Sequence, residues 1–353
     1  MDRPTRNDVA RLARVSTATV SYVLNDGPRP VAEKTRARVQ AAIRKLKYQP
    51  HAIARSLSKG KTQTVGFLAP SLVAPFQAHL VDAVEQNLAR RGYGLILASS
   101  HENAAHELQM LNTLASRLID GLLLVPTSSQ NSEKIRELIG RGLPVVFVDR
   151  YVPGVPTDVV ASDNVEAARH ATSYLIRKGC RHLVCISFSD EASSAIDRVK
   201  GFKKALSEHG LSAGDHPVLF VRYAAGESVS AELSAHLDRV GVPDGILCTI
   251  DAFLIEAVKF LRSRGVEVPG QTLVAGSFFV SPWNEILDPP FPIVSQDYER
   301  IAEHAVRFLI ERIEAGEAPL APRRQLIPAN YLHEQEKVPS PGLAGRSSRF
   351  ERR

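Results

Sequence analysis

The spacing of apolar residues along this 353-residue chain changes once, near Thr64, and no other feature constrains the fold as much. Ahead of that point apolar residues recur every three to four positions in three short stretches, as on the buried face of a helix. In the first, Thr5 and Asp8 have the spacing of a capping box, with Val9, Leu12 and Ala13 following. Ser16 can cap a second helix with Val20, Val23 and Leu24 on one side, ended by Asn25, Asp26, Gly27 and Pro28. The third spans about Glu33 to Lys47, turns Val39, Ile43 and Leu46 inward and stops before Pro50. After Thr64, short apolar runs alternate with longer amphipathic ones. Strands are expected at 65–69, 95–98, 122–125, 145–148, 159–161, 183–186, 218–221, 246–248 and 273–275, with helices between them, for example at 77–90, 165–177, 198–208 and 253–262. That alternation implies parallel sheets with helices on both faces. So many strands, with irregular stretches near 151–157 and 281–292, point to two lobes rather than one sheet. Ligand is then expected between the lobes, beyond the carboxyl ends of the strands.

Charge is distributed just as unevenly. Residues 1–62 hold fourteen Lys or Arg against four Asp or Glu, a net +10, while the whole chain is +6, leaving −4 on the other 291 residues. A basic head on an acidic body fits a polyanion-binding module joined to one that does not touch nucleic acid. No apolar run approaches the roughly 18–20 residues of a membrane span, and the first ten residues are polar and charged, so a cytoplasmic location without membrane contact is expected. Cys180, Cys185 and Cys248 are odd in number and lie in apolar runs, which reads as reduced core thiols. His101 and His106 stand five apart where a helical zinc pair needs four, and Gly60-Lys61-Thr62 has Arg55 where a phosphate-binding loop has its first Gly. There is no Gly-x-Ser-x-Gly, no Cys-x-x-Cys and no strand-borne Gly-x-Gly-x-x-Gly. No enzyme activity, cofactor or metal is therefore expected.

The run Asp8-Val9-Ala10-Arg11-Leu12-Ala13-Arg14-Val15-Ser16-Thr17-Ala18-Thr19-Val20-Ser21-Tyr22-Val23-Leu24-Asn25 resembles the helix-turn-helix of the lac and gal repressor (LacI/GalR) family. The resemblance continues through Thr35-Arg36, then 48–57 (Tyr48 to Leu57), and along the body to about residue 335. It implies a sequence-specific DNA-binding regulator, more often a repressor than an activator. The implied fold is an α/β body of two Rossmann-like lobes of the periplasmic-binding-protein type behind an all-α helix-turn-helix headpiece. The headpiece is expected at 1–60 with a hinge helix at 51–59, the effector-binding and dimerisation body at 61–335, and a disordered basic tail at 336–353. The residues agree with it. A second helix with Val20, Val23 and Leu24 inward leaves Thr17, Ala18, Ser21 and Tyr22 outward, where they can enter a major groove about 12 Å wide. Thr5, Ser16, Thr19, Asn25, Arg29, Tyr48, His51 and Arg55 complete the expected DNA contacts. The resemblance implies that Leu57 wedges into a minor-groove step beside the partner subunit's Leu57. Two residues depart from the family: Tyr22 stands where Arg is usual, which alters base preference, and His51 where Asn is common. A homodimer, with a tetramer left open, would read half-sites about one DNA turn apart on a near-palindromic double-stranded operator.

For a small-molecule effector, the resemblance places Phe76, Asp149, Arg198, Ile250, Asp251 and Phe278 at or near the interlobe cleft. Phe76 can offer an aromatic face, Asp149 an acceptor, and Arg198 bidentate hydrogen bonds to a carboxylate, phosphate or polar ring. The competing reading of Asp149 and Arg198 is an interlobe salt bridge. Sugar-binding members often have Asn-Asp where this chain has Ile250-Asp251, and an Asp pair where it has Phe278-Phe279. A sugar bound in the usual way would leave hydroxyls desolvated without partners, so an apolar or aromatic effector fits better. A phosphorylated compound held by Arg198, or loss of effector response, stays open. A transporter's solute-binding protein would need a signal peptide and no basic headpiece, and a two-lobed enzyme would need one of the catalytic motifs above.

Overall fold

The computed structural model describes residues 4–25, 30–48, 61–222, 226–278, 291–316 and 320–332. Contacts divide the chain into two compact units, 1–63 and 64–353. The first contains α1 (Arg6–Ala13), α2 (Thr17–Asn25) and α3 (Glu33–Leu46). Thr5 and Asp8 form the full capping box of α1: the Thr5 hydroxyl accepts from the Asp8 N–H, and the Asp8 carboxylate accepts from the Thr5 N–H at 2.9 Å. Arg14 then adopts a left-handed conformation that ends α1, and the Thr19 N–H donates to Ser16 Oγ at 3.1 Å to begin α2. The two helices are thus joined by a turn of three residues, 14–16. Val9, Ala10, Ala13, Val20, Val23, Val39, Ala42 and Tyr48 form the small core, with Leu24, Ile43 and Leu46 packed at its margin. Leu12, expected on the apolar side of α1, is instead 43% exposed.

The body has two parallel sheets. Lobe 1 consists of β1 (Thr64–Ala69), α4 (Pro75–Ala89), β2 (Gly94–Ser99), α5 (Ala104–Ser116), β3 (Gly121–Leu124), α6 (Ser132–Gly140), β4 (Val145–Val148) and β5 (Asp158–Ser162). Lobe 2 follows with α7 (Asn164–Arg177), β6 (Leu183–Ser187), α8 (Ser193–Glu208), β7 (Val218–Phe220), α9 (Val229–Val240), β8 (Gly245–Cys248), α10 (Asp251–Ser263), β9 (Leu273–Phe278) and β10 (Ile293–Ser295). The chain then returns: α11 (Tyr298–Ala315) and β11 (Arg324–Ile327) complete lobe 1, and β12 (Asn330–Leu332) closes lobe 2. Strand orders are β11-β5-β4-β3-β1-β2 and β12-β10-β9-β8-β6-β7, parallel throughout except for β12. Val, Ile, Leu and Phe dominate the central strands because helices cover both faces, giving each lobe two apolar layers.

Each sheet reverses direction beside its first strand, between β1 and β3 in lobe 1 and between β6 and β8 in lobe 2. Turns leaving neighbouring strands diverge there and open a crevice at the carboxyl edge. Three crossings, at 162–164, 295–298 and 327–330, join the lobes and are tied together: the Asp163 N–H donates to the Ile327 carbonyl at 2.9 Å, and Gln296 Nε2 to Ser162 Oγ at 2.9 Å. Cys180, Cys185 and Cys248 are free and buried, and burial pushes the Cys180 thiol up to about 12 and raises the other two as well.

Candidate functional site

On the headpiece, α2 presents the residues that the sequence assigns to DNA. Val20 and Val23 are buried against α1 and α3, which turns Ser16, Thr17 and Ala18 to solvent and leaves Thr19, Ser21 and Tyr22 partly exposed. Ser16 has a second role, since its hydroxyl caps α2 and meets Thr19 Oγ1 at 2.9 Å. Thr5 is exposed but engaged by Asp8. Tyr48 departs from its expected role: its side chain is only 7% exposed and belongs to the core. An aromatic ring gains more from burial in so small a core than from solvent contact, so the ring packs with the headpiece core. The side chain of Asn25, and Arg29, His51, Arg55 and Leu57, lie outside the described residues, as do the expected hinge helix and the 336–353 tail.

In the body, the facing strand ends carry a buried polar network. Asp149 follows β4 with a positive φ of 63°, which points its carboxylate toward Gln77 in the first turn of α4 and Gln296 in the second crossing. Gln296 is the hub: Nε2 donates to Asp149 at 2.9 Å and to Ser162 at 2.9 Å, and Oε1 accepts from Arg198 at 3.0 Å. Arg198 uses its other nitrogens on Asn164 Oδ1 at 2.8 Å and on the Thr249 carbonyl at 2.7 Å, while its guanidinium lies 4.0 Å from the centre of the Phe278 ring. Burial brings the Arg198 pKa down to about 10, opposed by the nearby Asp149 charge. Asp149 and Arg198 are thus coupled through an amide rather than by the direct salt bridge considered from sequence. Arg198 also sits in the second turn of α8, which begins at Ser193, five residues earlier than expected.

The remaining expected cleft residues take different places. Phe76 is partly buried against the α4 side of lobe 1, Ile250 precedes α10 and packs on lobe 2, and Asp251 opens α10. Phe278 is a buried ring beneath Arg198, with no free face toward Arg198's side. Sequence reasoning passed over several residues in this cleft. Arg150, buried, is gripped end-on by Glu102 at 2.8 and 2.9 Å and lies 5.0 Å from the Phe188 ring centre of lobe 2. Tyr151 donates its hydroxyl to Asp197 at 2.9 Å and its N–H to Ser193 Oγ at 2.8 Å, again across the lobes. A signal for Gln296 was present, a polar Ser295-Gln296-Asp297 run directly after the apolar Ile293-Val294 pair. Its partners, however, come from positions as far apart as 149 and 198, which no local pattern connects.

The family described as periplasmic binding proteins and sugar binding domain of the LacI family matches residues 62–334, and that described as bacterial regulatory proteins, lacI family, matches 5–51. The chain belongs to the LacI family. Among this family's relatives, an HTH-type transcriptional repressor PurR of Photobacterium profundum is 33% identical over 317 residues, covering 88% of this chain and 92% of that protein. One of the same name from Vibrio atlanticus is 30% identical, with the same coverage. The structure of a transcriptional regulator CelR–cellobiose complex is 27% identical with a TM-score of 0.69, covering 94% of this chain and 98% of that one. A lac repressor dimer bound to operator and the anti-inducer ONPF has a TM-score of 0.80 at 21% identity over the same shares, a likeness of fold. These LacI-family relatives are regulators rather than enzymes. Among the described residues no helix is long and apolar enough to cross a membrane, and no group of three His, Cys, Asp or Glu could hold a metal ion.

Proposed function

We propose that this LacI-family chain is a cytoplasmic transcriptional repressor that reads a near-palindromic operator as a homodimer, and that a small molecule in the interlobe cleft sets its affinity. Its work is binding, not catalysis. The observation that carries the reading is α2, whose Val20 and Val23 are fixed in the core while Ser16, Thr17 and Ala18 face solvent on a strongly basic headpiece. A short helix so held can enter the major groove with its amino-terminal half, while the surrounding Lys and Arg supply the sequence-independent attraction. Thr17 and Ala18 suit thymine methyls and single hydrogen bonds, and Tyr22 replaces the bidentate guanine contact that an Arg would make.

Effector control is supported by the network at the strand ends. Its polar groups come from both lobes, so a molecule inserted among them has different affinities for two lobe arrangements and shifts their balance by that difference. Among relatives, CelR is seen with cellobiose and a Pseudomonas putida Cra regulator with fructose 1-phosphate.

The test is selection of the full-length protein on a random duplex library in moderate salt. Enrichment of one two-fold symmetric sequence is expected; recovery of no preferred sequence refutes the proposal. Leu57→Ala is expected to weaken binding to that sequence far more than binding to random duplex, and equal losses remove the wedge.

A further inference from the structure

In lobe 2 a titratable ring occupies a position that helical spacing reserves for an apolar side chain. Val229, Leu233 and Leu237 set one face of α9 into an apolar layer shared with Val184 of β6, Ile246 of β8 and Phe253 and Leu254 of α10. His236 continues that face and is 1% exposed, yet neither its Nδ1 nor its Nε2 has a hydrogen-bond partner among the described residues. A neutral imidazole so placed has given up its bonds to water without replacement, and a protonated one would add an uncompensated charge.

The charges that bear on this ring oppose a proton. The His182 ring, on the segment entering β6, lies 5.6 Å away between centres, and Arg239 follows on α9 itself. Among the described residues the neighbouring acids are turned elsewhere. Asp238 pairs with Arg264 beyond α10 at 3.5 Å, and Glu256 of α10 accepts from the Ser230 N–H at 3.1 Å and hydroxyl at 3.2 Å. Asp244, ahead of β8, accepts from the N–H groups of Arg181 and His182 at 2.8 Å each. Glu232, one turn earlier on α9, bonds neither ring nitrogen. Burial is the largest influence and lowers the His236 pKa.

We propose that α9 is an acid-released latch on lobe 2. The closed ring is sealed from solvent and no carboxylate accepts from it, so a proton is taken up when α9 lifts. Below about pH 6.5 the protonated ring favours that lifted arrangement. Lifting withdraws Ser230 from Glu256 and loosens α10, which begins at Asp251, two residues after Thr249. The Thr249 carbonyl seats Arg198, and Arg198 holds Gln296 and through it Asp149 of lobe 1. The latch therefore makes the interlobe network sensitive to acid and, given the repressor reading, operator affinity with it.

The experiment follows hydrogen exchange of the full-length protein at about pH 7.5 and 5.5, corrected for the intrinsic rate at each pH. A lifted ring that titrates near 6.5 enlarges the open population about tenfold at the lower pH, so α9 should lose about tenfold in protection while α4 of lobe 1 is unchanged. His236→Leu suits the apolar setting and should abolish the change, whereas His182→Gln should keep a smaller one, because burial of His236 remains. Equal protection at both pH values in the unsubstituted protein, or a change that survives His236→Leu, overturns the proposal. Complete loss in His182→Gln does so too, by placing the proton on the other ring. With the duplex recovered by selection, affinity should change between the two pH values at least about threefold more for the unsubstituted protein than for His236→Leu, and equal changes refute the coupling. The exchange arm needs no DNA, so it decides the latch even where the repressor reading fails.

Discussion

At Gly201 an added Cβ would lie 2.2 Å from the Val165 carbonyl oxygen and 2.8 Å from the Arg169 nitrogen, because α7 and α8 touch backbone to backbone there. Neither atom can move without shifting a helix, so Gly201→Ala is expected to cost about 2–3 kcal/mol in urea denaturation. Asp158 has a side chain with no exposure, held by Arg312 at 2.7 and 2.8 Å and by Arg323 at 2.7 Å. Burial alone would raise its pKa, but those hydrogen bonds outweigh it and hold the carboxyl below its ordinary range. Its stabilisation is therefore present above about pH 4 and is lost as pH falls through the folded-state value. Asp158→Asn should cost about 3 kcal/mol at pH 7 and less at pH 3, read by denaturant titration at both. His236 has the opposite dependence. Both ring nitrogens are buried without a hydrogen bond, and burial, with the nearby His182 and Arg239, depresses its pKa. The unfolded chain binds the proton first, so stability falls as pH drops below about 6.5. His236→Leu should flatten the change in unfolding free energy between pH 7.5 and 5.5; an unchanged slope would show that His236 is not its source.

At the scale of elements, the headpiece turn depends on one side chain, the Ser16 cap of α2. Ser16→Ala should cost the headpiece about 1 kcal/mol, seen as an earlier helical melt, beyond any loss of DNA contact. The crossings depend on Gln296. Gln296→Glu sets a second carboxylate beside Asp149 and removes the donor shared with Ser162, which should cost the body about 2 kcal/mol in urea denaturation. The longer elements were legible before any coordinates: the capping box, the three headpiece helices, and nine strands from runs of Val, Ile and Leu. Strands β10, β11 and β12 were not. They have only three or four residues, and β11 alternates exposed Arg324 and Leu326 with covered positions at a sheet edge. A run so short has no periodicity to read, and pairing with a distant strand decides its conformation.

For the molecule as a whole, the basic head and acidic body predict steep salt dependence of DNA binding, carried by the first 62 residues alone. The sequence by itself determined the class of each part. Helical spacing, caps and charge specify a small basic trihelical unit, and alternating strand and helix patterns specify parallel sheets, because these depend on residues within a turn or two of one another. Only the tertiary structure decided which polar groups meet. It placed the Tyr48 ring in a core, tied Arg198 to Asp149 through Gln296, and paired Arg150 with Glu102. Those contacts join residues tens to more than a hundred positions apart, and their energies arise from burial that exists only after both lobes have folded.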